Sequence, residues 1–213
     1  MEKLITNRNG QWKLIKVWGD PDYDNISHGN TPFSDQESEN AARQAFMQYV
    51  QHNAPSHVQV KNMPNLTTNI VEPHVLMHRG IGEDEESDIN PHGYFVNAEG
   101  IKSYSNRLDF SDGSTVKTKT NSINTLHPEE AEGHAKDSTF GKKISFWVPA
   151  SSIYGHCTAI NHHILNPERP LQEYTTDPDF DQEHVMIKPG QYPLANDIVH
   201  YRDYEPIPKH EVK

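Results

Sequence analysis

The segment Asp181-Gln182-Glu183-His184-Val185-Met186-Ile187-Lys188-Pro189-Gly190 leaves its backbone little choice. The apolar run is short and is closed by Pro-Gly, a turn signal, so it reads as a strand bounded by loops. Alternate residues of a strand face the same side, which sends Asp181 and Glu183 in one direction as the strand begins. Two carboxylates aimed at one cleft from a loop-strand junction suit chemistry on a developing positive charge. A solvated acidic strand edge is the plainer alternative for the same residues.

Two further segments bear on that choice. In Glu72-Pro73-His74-Val75-Leu76-Met77-His78-Arg79-Gly80, Val75 to Met77 read as a buried strand and Arg79-Gly80 sits where it ends. An arginine there can present its guanidinium to phosphate or carboxylate, and the glycine keeps access clear. An ordinary surface arginine is the alternative. Thr118-Lys119-Thr120-Asn121-Ser122-Ile123-Asn124-Thr125 is crowded with hydroxyls and leads into a helix start. Pro128 falls near the first turn, and Glu129, Glu130 and Glu132 favour the helix dipole. A Ser/Thr-rich loop that caps the helix is the alternative here.

Taken in this order, the segments resemble the mono-ADP-ribosyltransferases of the R…S-T-S…E-x-E, cholera-toxin-like class, a group of bacterial toxins and effectors. Arg79 stands for the arginine of the first strand, and Thr120-Asn121-Ser122 for the Ser-Thr-Ser strand. A helix from Pro128 to Lys136 and a strand over Lys143–Pro149 follow. Asp181-Gln182-Glu183 supplies the acidic element, and Gln191 to Arg202 looks like the closing strand. The resemblance covers about Pro73 to Asp203. It implies an α+β fold, with two small antiparallel-rich sheets around an NAD cleft and flanking helices. Residues 66–213 would form the catalytic domain, and residues 1–65 a strand-helix extension packed on it.

The implied activity is transfer of ADP-ribose from NAD, used as a substrate, to a side chain of a target protein, with release of nicotinamide. Glu183 takes the catalytic place. It would stabilise the oxocarbenium-like ribosyl cation and hydrogen-bond the ribose 2′-hydroxyl, as carboxylates do in glycoside chemistry. Arg79 would bind the pyrophosphate through its planar fork of donors. Ser122 would orient the nicotinamide ribose or Glu183, with the Thr120 hydroxyl also on the cofactor side. Asp181 would contact the acceptor and help remove its proton. The middle motif departs from the family by reading Thr-Asn-Ser, and Thr118-Lys119-Thr120 is a second register for it. Aspartate at position 181 leaves the acceptor residue open between arginine and others. Tyr94, Phe95 and Tyr104 are candidates to stack on nicotinamide or to fill the core. Two alternatives remain: an NAD glycohydrolase on the same fold, and an inactive binding or interaction protein that keeps the scaffold.

The N-terminal third reads as a separate group of elements. Gln11 to Trp18 looks like a strand, and Ser34-Asp35-Gln36-Glu37 like a capping box with serine at the N-cap. The helix that follows runs to His52 and carries Ala42, Ala45, Phe46, Tyr49 and Val50 on one face. His57 to Lys61 forms another short strand. The default role of this region is structural support.

Composition narrows the partners. The 213 residues suffice for one well-buried domain, or one plus an extension. A hydrophobic fraction of 33% with 15 prolines points to a loop-rich protein with a modest core. The net charge of −11, with no Lys/Arg cluster longer than Lys142-Lys143, argues against nucleic acid as a partner. The single cysteine, Cys157, excludes an internal disulfide. Met1-Glu2-Lys3-Leu4 is not followed by an apolar run, and no stretch approaches membrane-spanning length. A toxin-like protein without a signal peptide would leave its cell by a non-classical route and act in a target-cell cytosol. Such a protein also implies a delivery or immunity partner. His156-Cys157 with His162-His163 raises a zinc reading, but with one cysteine and 14 histidines the expectation is no metal. Cys157 as a catalytic thiol is a hydrolase alternative.

Overall fold

The structure is a computed structural model that describes residues 2–6, 12–16, 33, 35–81, 96–97, 100–101, 108–109, 113–118, 121–137, 142–157, 159–160, 184–196 and 199–200. In chain order its elements are β1 (Glu2–Thr6), β2 (Trp12–Lys16), α1 (Gln36–His52), β3 (Val60–Pro64) and β4 (Val71–Ile81). The short strands β5 (Val96–Asn97), β6 (Gly100–Ile101) and β7 (Leu108–Asp109) follow, then β8 (Thr115–Thr118) and β9 (Ser122–Thr125). After α2 (Pro128–Asp137) come β10 (Lys142–Pro149), a 3₁₀ turn (Ala150–Ser152) and β11 (Ile153–His156). The last strands are β12 (His184–Ile187), β13 (Gly190–Pro193) and β14 (Val199–His200). Antiparallel sheets with few helices make this an α+β protein. Among the described residues, no helix is long and apolar enough to cross a membrane.

The chain forms two compact units, each assembled from segments distant in sequence. The first draws on Met1–Val58, Thr120–Asn124 and Ala150–Pro189. Here β1 pairs antiparallel with β2, from Glu2 opposite Lys16 to Thr6 opposite Trp12. Helix α1 starts one residue later than the serine box implies. Asp35 is the N-cap, with extended backbone, and its carboxylate accepts from the Ser38 amide at 2.7 Å. An ionised cap serves the positive end of the helix better than a hydroxyl, and Glu37 and Glu39 add to it in the first turn. The apolar face is buried at Ala42, Ala45, Phe46 and Tyr49. Burying Phe46 alone is worth roughly 2–3 kcal/mol.

That face packs on β11. Gly155 has φ 137°, and a Cβ added there would lie 3.3 Å from the Ala42 carbonyl oxygen, so the glycine admits both the backbone turn and the close helix. Strand β11 pairs with β12 through a register shift between Ile153 and Gly155, and β12 in turn lies beside β9. Phe33, Ala42, Ala45, Tyr154, Ala159, Ile160 and Met186 close an apolar cluster around Cys157, with Ile123 of β9 packed against it.

A charged clip ties α1 to the end of β12. Glu39 meets both Arg43 and Lys188 at 2.5 Å, and Arg43 Nε donates to the Ile153 carbonyl at 3.1 Å. Burial pushes the Glu39 pKa up, but hydrogen bonds from Lys188 and Gln36 and the charges of Lys188 and Arg43 outweigh it and hold the carboxyl below its usual range. The Lys188 ammonium also lies 5.3 Å from the Tyr154 ring centroid, a cation-π contact.

The second unit comprises Gln59–Lys119, Thr125–Pro149 and Gly190–Lys213. Strand β3 spans Val60–Pro64, three residues beyond the expected start at His57, because 55–58 close a turn in which the Val58 amide donates to the Pro55 carbonyl. The β3–β4 connection is built by Asn65. Its Oδ1 accepts from the amides of Thr67 and Thr68, its Nδ2 donates to Glu72, and Asn69 takes the left-handed conformation at φ 59°. Strands β4 and β10 pair over eight residues, from His74 opposite Pro149 to Ile81 opposite Lys142, and β14 lines the other edge of β10.

Paired residues share a face. One face of β4 and β10 carries Val75, Met77, Ile81, Ile144, Phe146 and Val148, all fully buried. Phe146 stacks on Tyr192 of the β13–β8–β7 sheet at 6.0 Å between ring centroids. Helix α2 covers the opposite face through Ala131 and Ala135, close to Gly80.

Candidate functional site

Arg79 lies near the end of β4, which runs on to Ile81, and pairs with Ile144 of β10. It is half-buried on the apolar face, between Met77 and Ile81. The reason for its neighbouring glycine differs from the sequence expectation. Gly80 points to the opposite face, toward α2, where a Cβ would fall 2.8 Å from His134 Cβ and 2.9 Å from the Ala135 nitrogen. The glycine therefore admits the helix; it does not open a path to the guanidinium.

Lys142 was not anticipated. It pairs with Ile81, so it lies on the same face as Arg79, diagonally across the two strands, at roughly 7–8 Å by strand geometry. Only 5% of it is exposed, and that burial lowers its pKa to about 8. In sequence the residue is part of an ordinary Lys-Lys pair. Only the register with β4 shows that Lys142 turns to the apolar face while Lys143 turns to α2, where it meets Glu132 at 3.6 Å.

Ser122 opens β9 in the first unit and is buried. Its hydroxyl donates to Asn124 Oδ1 at 3.4 Å, as expected for residues two apart on one strand face. The opposite face of β9 carries Ile123, packed on the apolar cluster. Strand β12 begins at His184, directly after Glu183 in sequence, with Val185, Met186 and Ile187 buried. The apolar run thus forms the strand that its spacing predicts. Thr120, Asp181 and Glu183 lie outside the described residues, as do Tyr94, Phe95 and Tyr104.

The second unit holds a buried polar network that sequence reasoning missed. His78, beside Arg79 in the chain, places Nδ1 2.8 Å from Ser145 Oγ and pairs across the ladder with Thr125. The Thr125 hydroxyl donates to Glu130 at 2.6 Å and accepts from the His127 amide at 3.0 Å. The hydroxyl run therefore meets the start of α2 through Thr125, which bonds the Glu130 side chain in its first turn and the His127 amide just before it. It also supplies a strand, because Ser122 to Thr125 is β9. His78 and Ser145 carry no sequence signal, since a histidine and a serine 67 positions apart meet only through the strand pairing.

Neither Cys157 reading gains support. Its sulfur sits in the apolar cluster at 2% exposure, where a nucleophile has no substrate access. His156 is wedged between Phe46 and Tyr49, with ring centroids 4.9 and 4.8 Å away. Among the described residues, no group of three or more His, Cys, Asp or Glu is placed to hold a metal ion; His162 and His163 lie outside them. In comparisons with known proteins, no family model, no curated protein and no solved structure matches the chain.

Proposed function

We propose that this protein transfers ADP-ribose from NAD to a side chain of a target protein. The observation that carries the reading is where the motif segments fall in the ladders. Arg79 lies within β4, Ser122 opens β9, and β12 starts at the residue after Glu183. Within the first unit β9 is bonded to β12; within the second, Thr125 pairs with His78 of β4. Helix α2 and strand β10 follow β9 in the order that the resemblance requires.

Each residue has a role that its chemistry suits. Arg79, a planar fork of donors, grips the pyrophosphate. The nicotinamide-ribose bond breaks with its electron pair leaving on nicotinamide. Glu183 stabilises the cation left on the ribose. Ser122 and Thr120 orient the ribose side of NAD. A nucleophilic atom of the target side chain then bonds to the ribose carbon, and Asp181 takes the proton it sheds. Arginine is the first acceptor to test. The setting is that of a toxin or effector, delivered by a partner and active in the cytosol of a target cell.

The test is incubation with labelled NAD and a cell lysate, comparing wild type, Glu183→Ala and Asp181→Ala. Label on protein with wild type but not with Glu183→Ala is the expected result. Asp181→Ala should lose transfer while it keeps NAD hydrolysis. Released nicotinamide without labelled protein would instead assign a glycohydrolase. No label, no nicotinamide and no calorimetric NAD binding would leave a scaffold that binds something else.

A further inference from the structure

Strand β3, in the second unit, is the edge of its sheet: among the described strands it pairs only with β4. The Asn65 amide donates to the Ile70 carbonyl, and the Leu76 amide to the Gln59 carbonyl. Hydrogen-bonded pairs alternate along an antiparallel ladder, so in the β3–β4 register Lys61 and Met63 turn their backbone groups inward to β4. Val60, Asn62 and Pro64 turn theirs outward, the proline with a carbonyl alone. These residues and Lys61 are exposed. An exposed edge of this kind is a template for another strand. Its two faces differ. Val60 and Pro64 share one with Val71, which pairs with Pro64, and Val60 is 46% and Val71 65% exposed. Lys61 and Met63 share the other with Glu72, which pairs with Met63.

We propose that this edge pairs with the β3 edge of a second copy of the chain, antiparallel about a two-fold axis at Asn62. The outward groups and the charges together select that register. With Asn62 at the axis, the Asn62 residues of the two copies exchange N–H···O bonds. Each Val60 amide donates to the Pro64 carbonyl of the other copy, a bond for which the proline needs no N–H. One face then carries a continuous apolar row of Val71 and Pro64 from one copy and Val60 and Val75 from the other, which brings the exposed valines together. The opposite face carries Glu72 and Met63 from one copy and Lys61 and His74 from the other. Lys61 thus stands two strands from Glu72 of the other copy, roughly 9–10 Å between Cα atoms by strand spacing. Glu72 also accepts from Asn65 Nδ2 at 2.8 Å, and its negative charge attracts the ammonium with that bond in place. An axis at Lys61 would set the two lysines directly opposite each other, where like charges destabilise. An axis at Met63 would face Asn62 with Pro64, which returns no donor, and would part Lys61 from Glu72. The charge pattern therefore fits a copy of this chain, and the assignment is independent of NAD.

The test is sedimentation velocity of the full chain from about 10 μM to 1 mM, the range for a small, weak interface. Amide hydrogen exchange is followed by NMR at both ends of that range. The expected result is reversible dimerisation, weakened by salt. The Val60 and Asn62 amides should exchange more slowly as concentration rises, while the Lys61 and Met63 amides, already bonded to β4, should not change. Asn62→Pro removes the central donor without touching a bond to β4. It should weaken the dimer about tenfold or more. Its melting temperature, measured below the dimerisation range, should stay within about 2 °C of wild type. Asn62→Ala keeps the backbone donor and should dimerise like wild type. Lys61→Glu should weaken the dimer and reverse its salt dependence. A chain that stays monomeric to about 1 mM overturns the proposal. So does a dimer that leaves Val60 and Asn62 exchange unchanged, or one that survives Asn62→Pro or Lys61→Glu at full affinity. If Asn62→Pro fails to fold, the exchange pattern of the wild-type chain decides alone.

Discussion

Gly80→Ala tests the packing of the helix on the strand that carries Arg79. The new Cβ would stand 2.8 Å from His134 Cβ and 2.9 Å from the Ala135 nitrogen, and the Ala131 carbonyl oxygen is nearer still. Carbon atoms prefer a separation of roughly 3.5–4.0 Å, so α2 must retreat by about an ångström. Two of the three obstructing atoms belong to the helix backbone and cannot rotate away. Ala131 and Ala135 are fully buried in the same contact and would lose packing as the helix moves. Overpacking of this kind costs about 1–3 kcal/mol, and a backbone obstruction belongs at the upper end. A loss of about 3 kcal/mol in a chain of this length lowers the melting temperature by about 6–12 °C. Gly133→Ala is the internal control, because it is in the same helix and a Cβ there meets nothing within 4 Å. It should gain about 0.5–1 kcal/mol from reduced chain entropy and better helix propensity. Urea unfolding of the three proteins measures both effects. Gly80→Ala within about 1 kcal/mol of wild type would refute the packing argument. If that variant also lost NAD binding at full stability, the glycine would serve ligand access after all.

Two further outcomes are expected. Lys142 has a folded pKa of about 8 against 10.5 for the free side chain. Between these values the unfolded chain holds more protons, so stability should rise with pH across that window by roughly 3 kcal/mol; unfolding midpoints for Lys142→Met should lack this rise, and equal slopes for both proteins would contradict the burial argument. Asp35→Ala should cost about 1 kcal/mol through loss of the α1 cap, whereas Ser34→Ala should cost less than half as much; the reverse order in thermal melts would restore serine as the cap.

Local pattern made much of the fold legible. The apolar runs at Val75–Met77 and Val185–Ile187 and the Lys143–Pro149 segment all lie in strands. The α1 stripe of Ala42, Ala45, Phe46 and Tyr49 is buried, and α2 begins at Pro128. These features follow from residues a few positions apart, whose spacing reports the period of helix or strand. The α1 cap was misplaced by one residue because Ser34 and Asp35 are both good caps, and nothing local ranks them before the preceding backbone is set.

By itself, then, the chain determined which stretches became strands and helices. Tertiary structure decided what each of their residues meets. The β4–β10 register turns Lys142 onto the apolar wall beside Arg79 and Lys143 toward α2. The approach of α2 explains Gly80, the β4–β9 pairing brings Thr125 opposite His78, and the compact units draw on segments far apart in the chain. The physical reason is that strand partners are selected by burial and hydrogen bonding over the whole molecule, at a loop-closure cost that depends only weakly on separation. Short-range sequence therefore carries the alternation of faces, but not which other strand each face will meet.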